Sequence, residues 1–148
     1  MIRVQTEDFD IGAEVAALTA GRTDIGAVVT FSGLVRDANG GSLASLELEH
    51  YPGMTEKELA RIEREANERW PLQASLIIHR VGKLLPGDNI VLVVAASAHR
   101  QAAFEAASFL MDYLKTRAPF WKREDTGGEA RWVDARESDG AAAAKWKV

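Results

Sequence analysis

Basic side chains gather in one stretch of this sequence, and their types and spacing suit the binding of an anion. Between His99 and Arg123 there are five Lys or Arg residues and two acids, so this stretch carries +3 while the whole chain carries −4. The five are Arg100, Lys115, Arg117, Lys122 and Arg123. Positive charge concentrated on an acidic protein indicates a local anionic ligand and disfavours general polyanion binding.

The spacing of these groups poses a geometric problem. A continuous helix through Arg100 and Lys115 would place their backbones about 22 Å apart, because each residue advances a helix by about 1.5 Å. One small ligand cannot bridge that distance. Either the two ends serve different purposes, or a two-fold dimer brings His99 and Arg100 of one copy beside Lys115 and Lys122 of the other. We favour the composite site as a hypothesis.

Each basic residue also has a plain structural interpretation. Lys115 shares a helix face with Met111, and partial burial there would suit it to acid–base or nucleophilic chemistry. A lysine at a helix C-terminus also interacts favourably with the helix dipole and needs no further role. Lys122 follows Pro119, Phe120 and Trp121 in what is predicted to be a stiff aromatic loop, which favours a specific role.

His99 and Arg100 fall at the expected start of the same helix. Free backbone N–H groups at that position attract anions, and an arginine placed against the dipole favours a phosphate or carboxylate ligand. A structural ion pair for Arg100 and a capping or packing role for His99 stay open. The other histidines, His50 and His79, lie in predicted strands and are assigned to structure.

Composition excludes several classes of site. The absence of cysteine excludes disulfides, thiol nucleophiles and thiolate metal sites, and three scattered histidines predict no catalytic metal. No phosphate-binding loop or GxSxG motif is present, and we expect no cofactor. A pI near 5.4 argues against broad nucleic-acid binding. With no secretory signal and no long apolar run, we expect a cytoplasmic protein that does not enter the membrane.

Hydrophobic periodicity switches between two and about 3.6 residues, which predicts one α+β domain over residues 1–148 with an antiparallel or mixed sheet. Strands are expected at 2–5, 26–35 (buried), 43–50 (half-exposed), 75–79, 89–96 and 131–135. Helices are expected from an Asp10 cap to Leu18, from a Thr55–Glu58 capping box to Trp70, and from a Ser97 cap to about Arg117. A flexible turn is expected at 37–42, and the tail up to Val148 is predicted to be weakly helical.

Long motifs resemble one known family across nearly the whole chain. They are VVTFSGLVRD (28–37), LEHYPGMTEKEL (48–59), SAHR (97–100), FLMDYLKTRAPFWKRE (109–124) and RWVDARESD (131–139). They resemble the large, catalytic subunit of molybdopterin synthase. That resemblance implies an α/β-hammerhead fold and an enzyme of molybdenum cofactor biosynthesis. It also implies a central homodimer flanked by two small ubiquitin-like subunits in a heterotetramer.

The implied reaction is sulfur transfer from the thiocarboxylated C-terminal Gly-Gly of the small subunit to cyclic pyranopterin monophosphate, which forms the dithiolene of molybdopterin. The resemblance implies Lys115 and Lys122 as catalytic residues. It implies a wider substrate-binding set of Leu34, Val35, Arg36, His99, Arg100, Lys115, Lys122, Arg123 and Glu124. We expect the arginines and His99 to bind the substrate phosphate, and the two lysines to act at the reacting centre.

Two alternatives of other classes remain. Phe120, Trp121, Lys122 and Arg123 could form a stacking and phosphate platform for a nucleotide or single-stranded nucleic acid. The basic pocket could also hold an acidic peptide tail without catalysis. Phe120 and Trp121 are candidate walls of a channel for the partner's tail, or they anchor their segment to the core.

Overall fold

The computed structural model describes residues 1–37, 45–125, 130–133 and 142–146, with the backbone alone at 130–133. Its elements are β1 (Ile2–Gln5), α1 (Ile11–Thr19), β2 (Ala27–Leu34), β3 (Ser45–His50), α2 (Met54–Arg69), β4 (Leu72–Arg80), β5 (Gly82–Leu84), β6 (Asn89–Ser97), α3 (Arg100–Arg117), β7 (Phe120–Asp125) and β8 (Ala130–Val133). Most of the predicted turn at 37–42 and most of the C-terminal tail lie outside the described residues. None of the described helices is long and apolar enough to cross a membrane.

The strands form two four-stranded sheets. The first has the order β1-β4-β6-β2 and is mixed, because β1 pairs parallel to β4 while its other pairs are antiparallel. The second has the order β5-β3-β7-β8 and is antiparallel throughout. The expectation of an α+β fold with a mixed or antiparallel sheet is therefore confirmed.

The central strands of the first sheet are covered on both faces, which explains their almost uninterrupted apolar sequences. Ile77, Val91 and Val93 pack with residues of α2 and α3 on one face. On the other face, Leu76 and Leu92 belong to a cluster flanked by residues of α1. The helices thus cover both faces of the sheet, with α2 and α3 on one face and α1 on the other.

The prediction of a buried strand at 26–35 is right about the strand and wrong about its burial. Val28, Phe31 and Leu34 are 38%, 41% and 53% exposed. The reason is topological, since β2 is an edge strand of the first sheet. Residues 45–50 behave as expected, with Leu46 and Leu48 buried.

Two predicted helix caps are also wrong. The second helix starts one residue before Thr55, after Gly53 at φ 86°, and no side chain caps it. Thr55 is buried instead, where its Oγ1 accepts from the Tyr51 amide and donates to the Pro119 carbonyl, both at 2.9 Å.

Ser97 ends β6 and donates to the Pro71 carbonyl at 2.8 Å. In each case the hydroxyl group that the local sequence predicts to cap a helix instead donates to a carbonyl that is remote in sequence. The Asp10 cap is confirmed, since its Oδ1 accepts from the Ala13 amide.

Candidate active site

Strand pairing places the predicted site residues at two opposite ends of the molecule. In the β2–β6 register, Ala27 faces Ser97 and Leu34 faces Asn89. Arg36 therefore lies near the start of β6, whereas His99 and Arg100 follow its end. The nine residues of β6 span about 26 Å at about 3.3 Å per residue.

The C-terminal end of α3 returns to the Arg36 end of the sheet. Phe120, three residues after α3, stacks on His79 with ring centroids 3.8 Å apart and an interplanar angle of 18°. His79 pairs with Val91, close to the start of β6. Arg36, Lys115 and Lys122 thus share one end, and His99 and Arg100 lie at the other. As expected, one continuous helix separates Arg100 from Lys115.

Lys115 and Lys122 lie close enough to the same buried ring for both charges to affect it. His79 is 5% exposed, and its pKa is lowered from 6.5 to about 4, chiefly by burial and further by the charges of Lys115, Lys122 and His50. Lys122 is half-buried and Lys115 is exposed. The exposure of Lys115 contradicts the expectation that apolar surface partly buries it.

Lys122 lies on a strand and not in the predicted loop. Pairing between β3 and β7 sets Lys122 opposite Leu48, and Glu124 opposite Leu46. Those leucines are buried, so Lys122 and Glu124 belong to the inner face of the second sheet. The β-strand went unrecognised because its sequence, FWKRED, is mostly charged, and its inward positions hold a lysine and a glutamate.

Arg123 is oriented differently from Lys122. Neighbouring residues of a strand point to opposite faces, and Arg123 is exposed opposite Glu47, while Trp121 is 45% exposed opposite Glu49. The ring of Trp121 also lies 6.2 Å from that of Tyr51. Within one chain, Arg123 is therefore not brought together with Lys122.

The segment before Arg36 divides between packing and exposure. Val35 is 4% exposed and packs with Leu46, Leu48 and Leu84. Its amide donates to the Asp88 carbonyl and its own carbonyl accepts from the Gly87 amide, both at 2.8 Å. Gly87 adopts φ 91°, which few other residues tolerate. Val35 thus anchors the strand end, whereas Arg36 and Leu34 are exposed.

The opposite end of α3 is open. His99 occupies the N-cap position with φ −129° and ψ 152°, and its side chain makes no capping hydrogen bond. Both His99 and Arg100 are exposed. This end offers donors and positive charge to a ligand that approaches from outside the chain.

His79 is the neighbour of the lysines that sequence reasoning missed. Its strand, with apolar residues on both faces, indicates burial, but no spacing rule connects residue 79 to residue 120. His50, opposite Phe120 in the β3–β7 register, lies 3.9 Å from the Glu56 carboxylate. Across the described ranges, no three His, Asp or Glu side chains are grouped as metal ligands would be.

Comparison with known proteins gives one consistent relationship. The sequence model of the MoaE protein family matches residues 4–117. The chain is 66% identical over 148 residues to the molybdopterin synthase catalytic subunit of Mesorhizobium japonicum, covering 99% of this chain and 92% of that protein.

Two solved structures share the fold. Molybdopterin cofactor biosynthesis protein E from Burkholderia multivorans superposes with a TM-score of 0.85 at 57% identity, covering 100% of this chain and 97% of that one. Molybdopterin synthase from Staphylococcus aureus gives a TM-score of 0.82 at 33% identity, covering 89% and 96%. The chain belongs to the MoaE protein family, whose similar members include molybdopterin synthase catalytic subunits.

Proposed function

We propose that this chain is the catalytic subunit of a molybdopterin synthase. It transfers sulfur from the thiocarboxylated C-terminus of a small ubiquitin-like subunit to cyclic pyranopterin monophosphate, in the biosynthesis of the molybdenum cofactor. The observation that carries the proposal is the 66% identity over 148 residues to a molybdopterin synthase catalytic subunit. The geometry supports it, since Lys115 and Lys122 lie at the Arg36 end of the sheet, near one buried ring. Two cationic groups there suit a substrate and a donor that are both anionic.

In the proposed reaction the lysines act on the reacting atoms. Lys115 lies nearest the partner's C-terminal carbonyl and assists proton transfer as sulfur attacks, while Lys122 stabilises negative charge that develops on the substrate. The reverse assignment of the two lysines is chemically equivalent. Arg36 contributes a guanidinium for the substrate phosphate, held in place by the anchored Val35.

The remaining phosphate ligands come from a second copy of the chain. A two-fold axis that pairs two β2 edges would run them antiparallel, since isologous contacts repeat the same patch in reverse. The start of β2 in one copy, near His99 and Arg100, would then approach the end of β2 in the other, near Arg36. Exposed Phe31 on β2 and exposed Phe104 on α3 supply apolar surface on the same side for such a contact.

The outward-facing Arg123 and the inward-facing Glu124 have separate roles in this proposal. Glu124 shares the inner face with Lys122 and balances its charge, whereas Arg123 reaches substrate or partner only from the outer face of the second sheet. The name of the Mesorhizobium relative describes one subunit of a larger enzyme, which supports a partner for this chain as well. We also place the protein in the cytoplasm, which cell fractionation tests.

Two observations disfavour the nucleic-acid alternative. One face of the Phe120 ring is already stacked on His79, and Lys122 and Arg123 face opposite sides of their strand. A continuous stacking and phosphate platform needs both on one side. If the chain alone bound oligonucleotides tightly at low salt, this argument would be wrong.

Reconstitution tests the proposed function directly. The purified chain is mixed with thiocarboxylated small subunit and cyclic pterin, and the dithiolene product is measured. We expect product with the thiocarboxylate and none with the unmodified carboxylate. Tail binding without product would support the scaffold alternative, and neither binding nor product would refute both.

A further inference from the structure

His79 is held in one orientation by contacts on two sides. Its ring stacks on Phe120 at 3.8 Å, and its Nδ1 lies 2.8 Å from the carbonyl oxygen of Arg80. A carbonyl only accepts hydrogen bonds, so Nδ1 carries the proton and donates. The neutral tautomer then leaves Nε2, on the far side of the ring, with an unshared lone pair.

The ionisable groups that act on this ring are basic, and its neighbours on the adjacent strands are apolar. Lys115 from α3, Lys122 from β7 and His50 from β3 each disfavour a positive charge on it. Its register neighbours on β1 and β6 are Val4 and Val91. An imidazole buried in such a place accepts a hydrogen bond readily and resists protonation.

Phe120 connects the imidazole to the catalytic strand. It begins β7, and Lys122 lies two residues later on the same inner face. Displacement of the His79 ring would therefore move the start of the strand that carries Lys122. No such link is needed for a histidine that only fills the core.

Building on the proposed function, we infer that His79 is a positioning residue for the lysine pair. Its clamped, uncharged ring fixes β7 through Phe120 and presents the Nε2 lone pair as an acceptor for a lysine ammonium. His79 would therefore act in two ways: its ring holds Phe120 by stacking, and its Nε2 accepts a hydrogen bond from a lysine. Each is removed by a different substitution.

The substitution His79→Phe keeps an aromatic ring for the stack and removes the acceptor. His79→Gln keeps a neutral polar group and removes the stack. Ile77→Val is the matched control, because Ile77 lies two residues earlier on the same strand and face and is fully buried in the apolar core. All three variants are purified as the full chain and assayed in the reconstituted complex.

The main readout is the NMR signal of each lysine side chain, with lysine labelled with ¹³C at Cε. The two signals are assigned with Lys115→Arg and Lys122→Arg. A hydrogen bond to the ring holds the ammonium in one place, so in His79→Phe we expect the Cε signal of one of these lysines to move towards that of a solvated lysine, with a smaller change in His79→Gln. Ile77→Val should give the signals of the wild type.

Kinetics provide the second readout. We expect kcat to fall about tenfold in both His79 variants with KM changed less than twofold, because small displacements of catalytic groups affect the chemical step most. Unchanged lysine signals and unchanged kcat in a folded His79→Phe protein would overturn the inference, as would equal losses in Ile77→Val. If either variant fails to fold, the other decides by the same criteria. An inactive wild type would refute the proposed function instead, and the lysine signals would still decide the role of His79.

Discussion

The two ends of α3 differ in how far the neighbouring side chains are buried and hydrogen-bonded. At the C-terminal end, Lys115 is exposed, but Lys122 is half-buried and the nearby His79 is buried, stacked and hydrogen-bonded. At the N-terminal end, His99 and Arg100 are exposed, and His99 forms no side-chain cap. Chemistry requires fixed groups, whereas an end that completes a neighbour's site must stay accessible. The contrast therefore suggests that one end performs the reaction and the other is donated to a second copy.

The largest expected effect on activity is at the C-terminal end of α3. Lys115→Ala and Lys122→Ala should each lower kcat by about 100-fold or more, because general acid–base groups and charge stabilisation contribute at least that much. Arg64→Ala is the control, since Arg64 is exposed on α2, nine residues beyond the Thr55 that bonds to Pro119. Steady-state assays of the reconstituted enzyme provide the measurement. Normal turnover in either variant would remove that lysine from catalysis, and a change confined to KM would make it a binding residue.

Burial of His79 at the C-terminal end of α3 should also make stability depend on pH. The pKa of His79 is lowered from 6.5 to about 4, so between these values the unfolded chain binds a proton that the folded chain does not. Stability therefore rises with pH across this window and is lost as pH falls through it.

Urea unfolding at pH 7 and pH 4.5 should show this loss as about 2 kcal/mol more in the wild type than in His79→Phe. The difference between the two proteins isolates His79, because both retain the same carboxylates. Equal losses in the two proteins would show that His79 is protonated without penalty in the folded state.

A matched pair of hydroxyl groups compares the two ends more finely. Thr55 donates to the Pro119 carbonyl, just after the C-terminal end of α3. Ser97 donates to the Pro71 carbonyl, just before the N-terminal end of α3. Thr55→Val and Ser97→Ala should each cost about 0.5–1.5 kcal/mol of unfolding free energy, because each removes a part-buried hydrogen bond to a proline carbonyl.

The kinetic effects of this pair should differ. Thr55→Val should lower kcat, since Pro119 precedes the strand of Lys122, whereas Ser97→Ala should act on KM through His99. Comparison of unfolding curves with kcat and KM tests both statements. An identical kinetic response would mean that the two ends do not have separate roles.

The smallest effect is expected at His99 itself. Its backbone already has the extended geometry of an N-cap, but its side chain does not cap the helix. His99→Ser should therefore raise stability by about 0.5–1 kcal/mol while it raises KM. Thermal unfolding and substrate titration measure the two changes. Loss of stability with unchanged KM would show that His99 serves the fold and not the ligand.

Sequence reasoning succeeds for features set by local chemistry. Apolar alternation locates β3, apolar runs with turn residues locate β4 and β6, the Asp10 carboxylate caps α1 as expected, and α3 is continuous to Arg117 as expected. The separation of Arg100 from Lys115 followed from helix geometry alone. Each of these features depends on one continuous segment of the chain and not on partners remote in sequence.

The errors arise where distant partners decide the outcome. Thr55 and Ser97 have the side chains of helix caps, yet both hydroxyls bond to proline carbonyls that are remote in sequence. β7 carries charges because its inner face borders a polar site, which conceals its period of two. The stacking of His79 on Phe120 is likewise not visible in the sequence, because it arises only when the segment after α3 packs against the first sheet.

Mixed dimers test the central claim most directly. A chain with Arg100→Ala and a chain with Lys115→Ala are each nearly inactive alone, but in a mixed dimer one of the two composite sites retains both groups. Random mixing of equal amounts should therefore restore about one quarter of wild-type activity. A control mixture of Lys115→Ala with Lys122→Ala should restore none, because both lesions fall at the same end of α3. Recovery in the control, or no recovery in the first mixture although mixed dimers form, would contradict the shared site.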